Sequence, residues 1–113
     1  MKLEKLGICG CGLASLAGFP TLPLLQVLEL NDNRIAGGLS SLSSLTSLNT
    51  LKLAGNKIAT LKDIEPLASL ESLESLDLEQ CPVAEIAGFR EKVFDLLPKL
   101  QWLDNANRAG EEM

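Results

Sequence analysis

Apolar positions recur in a fixed pattern along this chain. Leu25-x-x-Leu28-x-Leu30-x-x-Asn33-x-Ile35 aligns position by position with Leu48-x-x-Leu51-x-Leu53-x-x-Asn56-x-Ile58 and with Leu73-x-x-Leu76-x-Leu78-x-x-Cys81-x-Val83. An earlier stretch, Leu3-x-x-Leu6-x-Ile8-x-x-Cys11-x-Leu13, fits with one Leu-to-Ile change, and Leu100-x-x-Leu103 begins a final partial unit. The unit starts advance by 22, 23, 25 and 27 residues. Within each unit the x-L-x-L-x alternation has period two, so it predicts a short strand with its Leu side chains inward and its polar residues outward. Between units, Leu39, Leu42 and Leu45, then Ile64, Leu67 and Leu70, are spaced by three, which suits 3₁₀ or irregular helix.

The eleven-residue pattern and its spacing are those of leucine-rich repeats. The expected fold is an α/β solenoid, right-handed and curved, with a parallel concave sheet, an irregular or 3₁₀ convex side and a C-terminal cap. About four repeats occupy residues 1–88, the cap with a last strand 89–104, and a polar tail 105–113. The ninth position of the motif falls where the chain leaves the strand, and a polar side chain there can pair backbone groups that would otherwise be buried and unsatisfied. Cys11, Asn33, Asn56 and Cys81 are expected to form this ladder. In the cap, Phe89, Val93, Phe94, Leu96 and Leu97 predict the apolar face of a short helix that Pro98 ends. No comparable cap precedes Leu3, so either a cap has been lost or the first strand edge is exposed or covered by a partner.

Composition narrows the chemistry. The 113 residues are 46% hydrophobic and include 25 Leu, with no His and no Tyr. The commonest general base, metal ligand and phenolic acid are thereby missing, so no enzyme, metal or cofactor is expected. The Met1-Lys2-Leu3-Glu4-Lys5 start lacks the apolar stretch of a signal peptide, and no apolar run reaches membrane-spanning length. Three cysteines, without a second set of ligands for zinc, read as structural and reduced, which suits the nucleus or cytoplasm. Gly10-Cys11-Gly12-Leu13-Ala14-Ser15 imitates a dinucleotide fingerprint but lacks its third glycine, and the repeat register accounts for it. Gly37-Gly38 is expected to turn the chain at positive φ.

The net charge is −5, from 10 basic and 15 acidic residues. Outward positions on the strands include Glu29, Asn31, Thr50, Lys52, Ser75, Asp77, Glu79, Trp102 and Asp104, with Asp32 and Glu74 beside them. This mostly acidic concave face favours a basic protein surface as partner and disfavours direct nucleic-acid contact.

The segment Phe89-Arg-Glu-Lys-Val-Phe-Asp-Leu-Leu-Pro-Lys-Leu-Gln-Trp-Leu-Asp104 resembles the cap of the acidic leucine-rich nuclear phosphoprotein 32 family. Leu28-Glu-Leu-Asn-Asp-Asn-Arg-Ile-Ala-Gly-Gly-Leu39, Leu53-Ala-Gly-Asn-Lys-Ile58 and Asp63-Ile-Glu-Pro-Leu67 are similar to its successive repeats, so that the likeness covers about residues 13 to 104. The resemblance implies a noncatalytic binding module in the nucleus or cytoplasm, with histone binding, chromatin and transcription regulation, and phosphatase inhibition as the family's roles. The family carries an N-terminal cap and, after the repeats, a long acidic tail, whereas this sequence enters its first repeat almost at once and ends Asn105-Ala-Asn-Arg-Ala-Gly-Glu-Glu-Met113, so only repeat-borne roles carry over. The leucine-rich protein of the spliceosomal U2 particle has a similar cap, and the alternative it implies is a ribonucleoprotein assembly component.

Overall fold

The computed structural model describes residues 4–16, 19, 22–104, 106, 107 and 111. Leu3 of the first repeat, and residues 105, 108–110, 112 and 113 of the expected tail, lie outside the described residues. Five short strands, β1 (Lys5–Gly7), β2 (Val27–Glu29), β3 (Thr50–Lys52), β4 (Ser75–Asp77) and β5 (Trp102–Leu103), form one parallel sheet in sequence order. Their register places the fourth residue of each unit against its equivalents: Leu6 pairs with Leu28, Leu28 with Leu51, Leu51 with Leu76, and Leu76 with Leu103. Each repeat is thus one rung, and the central leucines stack into a continuous core in which Leu28, Leu51 and Leu103 have no exposed surface. No helix among the described residues is long and apolar enough to cross a membrane.

Backbone pairing recurs from rung to rung. Ile8 N donates to Glu29 O at 2.8 Å, Leu30 N to Lys52 O at 2.8 Å, and Leu53 N to Asp77 O at 2.8 Å. The connections return through 3₁₀ turns at Leu39–Leu42, Leu61–Asp63, Glu65–Ser69 and Pro82–Glu85. Three-residue turns fit the spacing of three, since i and i+3 eclipse and both point to the core. Leu39, Leu42 and Leu67 are buried accordingly. Gly38, at φ 73°, precedes the first of these turns in the left-handed region that glycine enters without cost.

The ladder side chains bind backward. Asn56 Oδ1 accepts from Ile35 N at 3.1 Å, and its Nδ2 donates to Leu30 O at 2.8 Å and Leu53 O at 2.9 Å. Asn33 Oδ1 accepts from Cys11 N and Leu13 N, and its Nδ2 donates to Ile8 O. Cys81 Sγ, with only one donor, reaches Leu53 O at 3.0 Å. Cys11 departs from the expectation: it is exposed, and its Sγ points to Cys9 O at 3.4 Å. A ladder residue pairs the backbone of the preceding repeat, and among the described residues none precedes the first.

At the far end, helix α1 (Phe89–Leu96) packs Phe89, Val93 and Phe94 against the last repeat. Leu97 is buried as well, while Leu96 is only partly so. The open side of β5 is then closed by the chain itself, because Leu103 N donates to Ala106 O at 2.7 Å and Ala106 N returns to Leu103 O at 3.1 Å. Arg90 Nη1 clamps this turn by donating to the carbonyls of Leu103, Ala106 and Asn107 at 3.1, 3.3 and 3.2 Å.

Candidate concave interface

The parallel register sorts the outward side chains into columns. One column runs Gly7, Glu29, Lys52 and Asp77, with Asp104 in the next position after Leu103 of β5. Its N-terminal half is neutralised, since Glu29 lies between Lys5 (3.8 Å) and Lys52 (3.9 Å). Exposed pairs of this length add little stability, but they cancel the field of Glu29 locally. Its C-terminal half holds two acids side by side, and Glu79 is exposed just beyond Asp77. A second column runs Val27, Thr50, Ser75 and Trp102, all partly buried. Trp102 therefore stands at the end of a small, weakly polar strip directly beside the acids.

Asp104 terminates the sheet. The rung pattern would next pair Leu78 N with a main-chain carbonyl at position 104, but Asp104 turns away at φ 53° and its Oδ1 takes the carbonyl's place, accepting from Leu78 N at 2.7 Å. Asp tolerates the left-handed region better than most residues with a Cβ. Burial pushes the Asp104 carboxyl up to about 6; the Leu78 amide works against this, while the neighbouring charge of Asp77, a hydrogen bond with it, and the charge of Glu79 push the same way. Asp77 Oδ1 accepts from Glu79 N at 3.0 Å, which fixes the carboxylate at the end of its strand.

The remaining expected positions divide by role. Asn31 is engaged with the fold, its Oδ1 accepting from Ala54 N at 2.9 Å. Asp32 is exposed at a turn with φ 58°, away from the main column, and a Cβ at Gly55 would overlap its carboxylate. The sequence reading set Glu74 beside the outward positions but missed its partners Asn49 and Gln101, and it missed Arg90. Glu74 sits between Asn49, whose Nδ2 donates to it at 2.7 Å, and Gln101, at 3.5 Å. These three occupy the position immediately before each strand, so aligning that column of the repeats would have found them. Arg90, which secures the cap, carries no repeat signal.

Burial raises the Cys81 thiol further from ionisation, while Cys9 and Cys11 are exposed and unbridged. Among the described residues no cluster of three or more His, Cys, Asp or Glu is placed to hold a metal. A small apolar notch lies elsewhere, between Leu67, Leu70, Leu73 and the Leu97–Leu100 turn.

Comparison with known proteins gives a consistent picture. A family model described as leucine-rich repeat matches residues 4–109. The chain is 42% identical over 111 residues to acidic leucine-rich nuclear phosphoprotein 32 family member A of Drosophila melanogaster, covering 98% of this chain and 42% of that protein. It is 51% identical over 113 residues to acidic leucine-rich nuclear phosphoprotein 32-related protein 1 of Oryza sativa subsp. japonica, covering 98% of this chain and 24% of that one. The chain therefore spans less than half the length of these curated relatives. Among solved structures, the Drosophila melanogaster SNF/U2A' complex matches with a TM-score of 0.83 at 32% identity, over 92% of this chain and 60% of that one. An internalin C2 of Listeria monocytogenes matches with a TM-score of 0.68 at 31% identity, over 88% of this chain and 40% of that one.

Proposed function

The chain belongs to the leucine-rich repeat family, and from that premise we propose that it is a noncatalytic protein-binding module whose concave face takes a basic protein surface. The observation that carries the reading is the gathering of Asp77, Glu79 and Asp104 beside Trp102 at the end of the sheet, where no ion pair forms with them among the described residues and the neighbouring Lys52 is turned to Glu29. A carboxylate cluster next to an indole supplies two complementary means of recognition. The charges steer and orient a cationic partner, and the ring supplies apolar contact. Histones are the partner class this chemistry favours; the names of the nuclear phosphoprotein relatives support a nuclear location, and roles in chromatin regulation or phosphatase inhibition are those the family resemblance implies. Nucleic acid would be repelled by the same face.

The test is the association rate with core histones at low and high salt, for the native chain and for Asp77→Lys combined with Glu79→Lys. Slower association of the double variant at low salt, with the difference shrinking at high salt, supports the reading. Identical rates at both salt concentrations would sink it. A second reading is favoured by the likeness to the SNF/U2A' complex: a ribonucleoprotein assembly component that holds an RNA-binding protein, in which Trp102 carries most of the contact. Loss of binding in Trp102→Ala, with little salt dependence in the native chain, would select it.

A further inference from the structure

The strip beside the concave acids has a shape as well as a charge. Register sets Val27, Thr50, Ser75 and Trp102 one per strand from β2 to β5, with Lys5 in line with them on β1. Val27, Thr50 and Ser75 are small, so they floor a trough that the Trp102 indole closes at one end. At β4 both sides of the trough are acidic: Glu74 is exposed just before Ser75, and Asp77 follows on the outward face. Three steps along the strand separate these two acids, about 10 Å between Cα atoms, which matches the width of an α-helix with its side chains. The polar groups along the trough are engaged with one another. Thr50 Oγ1 donates to Asn49 Oδ1 at 2.9 Å, Asn49 Nδ2 donates to Glu74 at 2.7 Å, and Gln101 Nε2 reaches the other Glu74 oxygen at 3.5 Å. An extended segment laid on this face would find few partners for its backbone, and the β5 edge, where a strand would add, is closed by the turn through Ala106. A helix pairs its own backbone and needs only side-chain contact.

We propose that the trough seats one amphipathic, basic α-helix of the partner protein, lying across the strands, with a small apolar stripe on Val27, Thr50 and Ser75 and with Lys or Arg on both flanks against Glu74 and Asp77. This rests on the reading that the concave face takes a basic protein surface, and it adds the form of what is taken. Charge complementarity on both sides of the floor selects the occupant, since a helix with cations on only one flank would leave Glu74 or Asp77 unanswered. Three strand spacings separate Val27 from Trp102, about 14 Å, so roughly ten helical residues fill the seat. One helical turn advances about 5.4 Å, close to one strand spacing of about 4.8 Å, so successive turns meet successive strands. The large indole of Trp102 then packs against the end of the apolar stripe. Lys5, 3.8 Å from Glu29, bounds the seat at the β1 end, where a basic helix gains nothing.

Trp102 is the sole tryptophan, so its emission reports an occupant of the trough on the whole, unlabelled chain. The probes are two synthetic peptides of about fifteen residues, long enough for an isolated helix to hold, identical in composition and without aromatic residues. One sets Ala and Leu at helical spacing with Lys and Arg on both flanks; the other reorders the same residues so that no helical stripe forms. The helical peptide should shift Trp102 emission and bind about tenfold or more tighter than the reordered one, and Glu74→Lys and Asp77→Lys should each weaken it by about tenfold. If either variant loses cooperative unfolding, the two peptides on the native chain decide. Equal binding of the two peptides would overturn the helix and leave the basic-surface reading standing. So would an effect of Asp77→Lys without one of Glu74→Lys, because the contact would then be one-sided. Failure of both peptides while core histones still associate in a salt-dependent way would overturn the trough alone, and failure of peptides and histones together would overturn both readings.

Discussion

Asn33 and Asn56 donate to the same oxygen: both Nδ2 groups reach Leu30 O, at 3.0 and 2.8 Å. Leu53 O is shared in the same way by Asn56 Nδ2 and Cys81 Sγ. Each of these carbonyls, just past the end of a strand, is thus held by its own repeat and by the next, so the ladder couples neighbouring repeats as well as satisfying each one. A carbonyl has two lone pairs and can serve both.

Sharing decides what each ladder substitution costs. Asn56→Ala leaves Leu30 O with Asn33 and Leu53 O with Cys81, but orphans the Ile35 N–H, whose bond to Asn56 is buried. A buried unpaired donor, together with the lost bonds, should cost roughly 2 to 4 kcal/mol. Cys81→Ala orphans nothing, because Asn56 still serves Leu53 O, and should cost about half as much. Urea unfolding of the two variants measures the ranking, and a reversed order would mean that the backbone relaxes to pair Ile35 N–H elsewhere.

The central column makes a sharper contrast between adjacent residues. Leu51 has no exposed surface and stacks between Leu28 and Leu76, whereas Lys52 next to it is on the outward face. Leu51→Ala should cost roughly 2 to 5 kcal/mol through lost burial and the cavity left behind. Lys52→Ala should stay within about 0.5 kcal/mol, since its ion pair is exposed and long. Equal unfolding midpoints would contradict the inward and outward assignment.

Arg90 tests how the capped end is held. Its Nη1 is the shared donor to the last carbonyl of β5 and two beyond it, so Arg90→Ala should cost about 1.5 to 3 kcal/mol, the range for hydrogen bonds to a charged group. The loss should appear first at the cap. Trp102, the sole tryptophan, lies in β5 and reports it directly. Its emission should shift to the red at lower urea in the variant than the loss of far-ultraviolet ellipticity, whereas coincident transitions would show that the cap and the repeats unfold as one unit.

Most of this architecture was legible because a repeated motif states the same physical demand several times. The inward leucines, the strand positions, the 3₁₀ returns and the apolar face of α1 all followed from spacing, and the parallel order follows once each repeat can bury its leucines only against its neighbours. What escaped belongs to the ends, where the repetition stops. Cys11 matches the ladder in sequence, yet among the described residues no repeat precedes it, and its thiol turns to Cys9 O instead. Asp104 looked like one more outward acid and is instead the residue that replaces a main-chain carbonyl with its own Oδ1. Arg90 reads as an ordinary solvated charge on a helix, and only the turn through Ala106 gives its guanidinium a task. Within the concave face, the sequence supplied the acids but not the columns, and it is the columns that pair Glu29 with lysines and leave Asp77 beside Asp104.

That last juxtaposition makes stability depend on pH in a direction opposite to that of an ion-paired carboxylate. The Asp104 carboxyl is pushed from its ordinary 3.8 up to about 6, chiefly by burial and further by Asp77 and Glu79, so the folded chain holds a proton that the unfolded chain releases. A group raised on folding contributes stability that is fully present below about 3.8 and is lost as the pH rises to about 6. Asp104→Asn separates this contribution from the titration of every other acid. The amide keeps an Oδ1 to accept from Leu78 N, tolerates the left-handed backbone, and offers Asp77 an N–H in place of the shared proton. At pH 4 the two proteins should unfold at similar temperatures. By pH 7.5 the native chain must hold Asp104 ionised beside Asp77, and the variant should be the more stable, with the gap opening mainly between pH 4 and 6 and levelling above. Thermal unfolding at half-unit pH intervals measures the gap. A constant difference across the range would mean that Asp104 is not protonated by folding, and a variant less stable at every pH would mean that its charge, rather than its shape and acceptor, holds the end of the sheet.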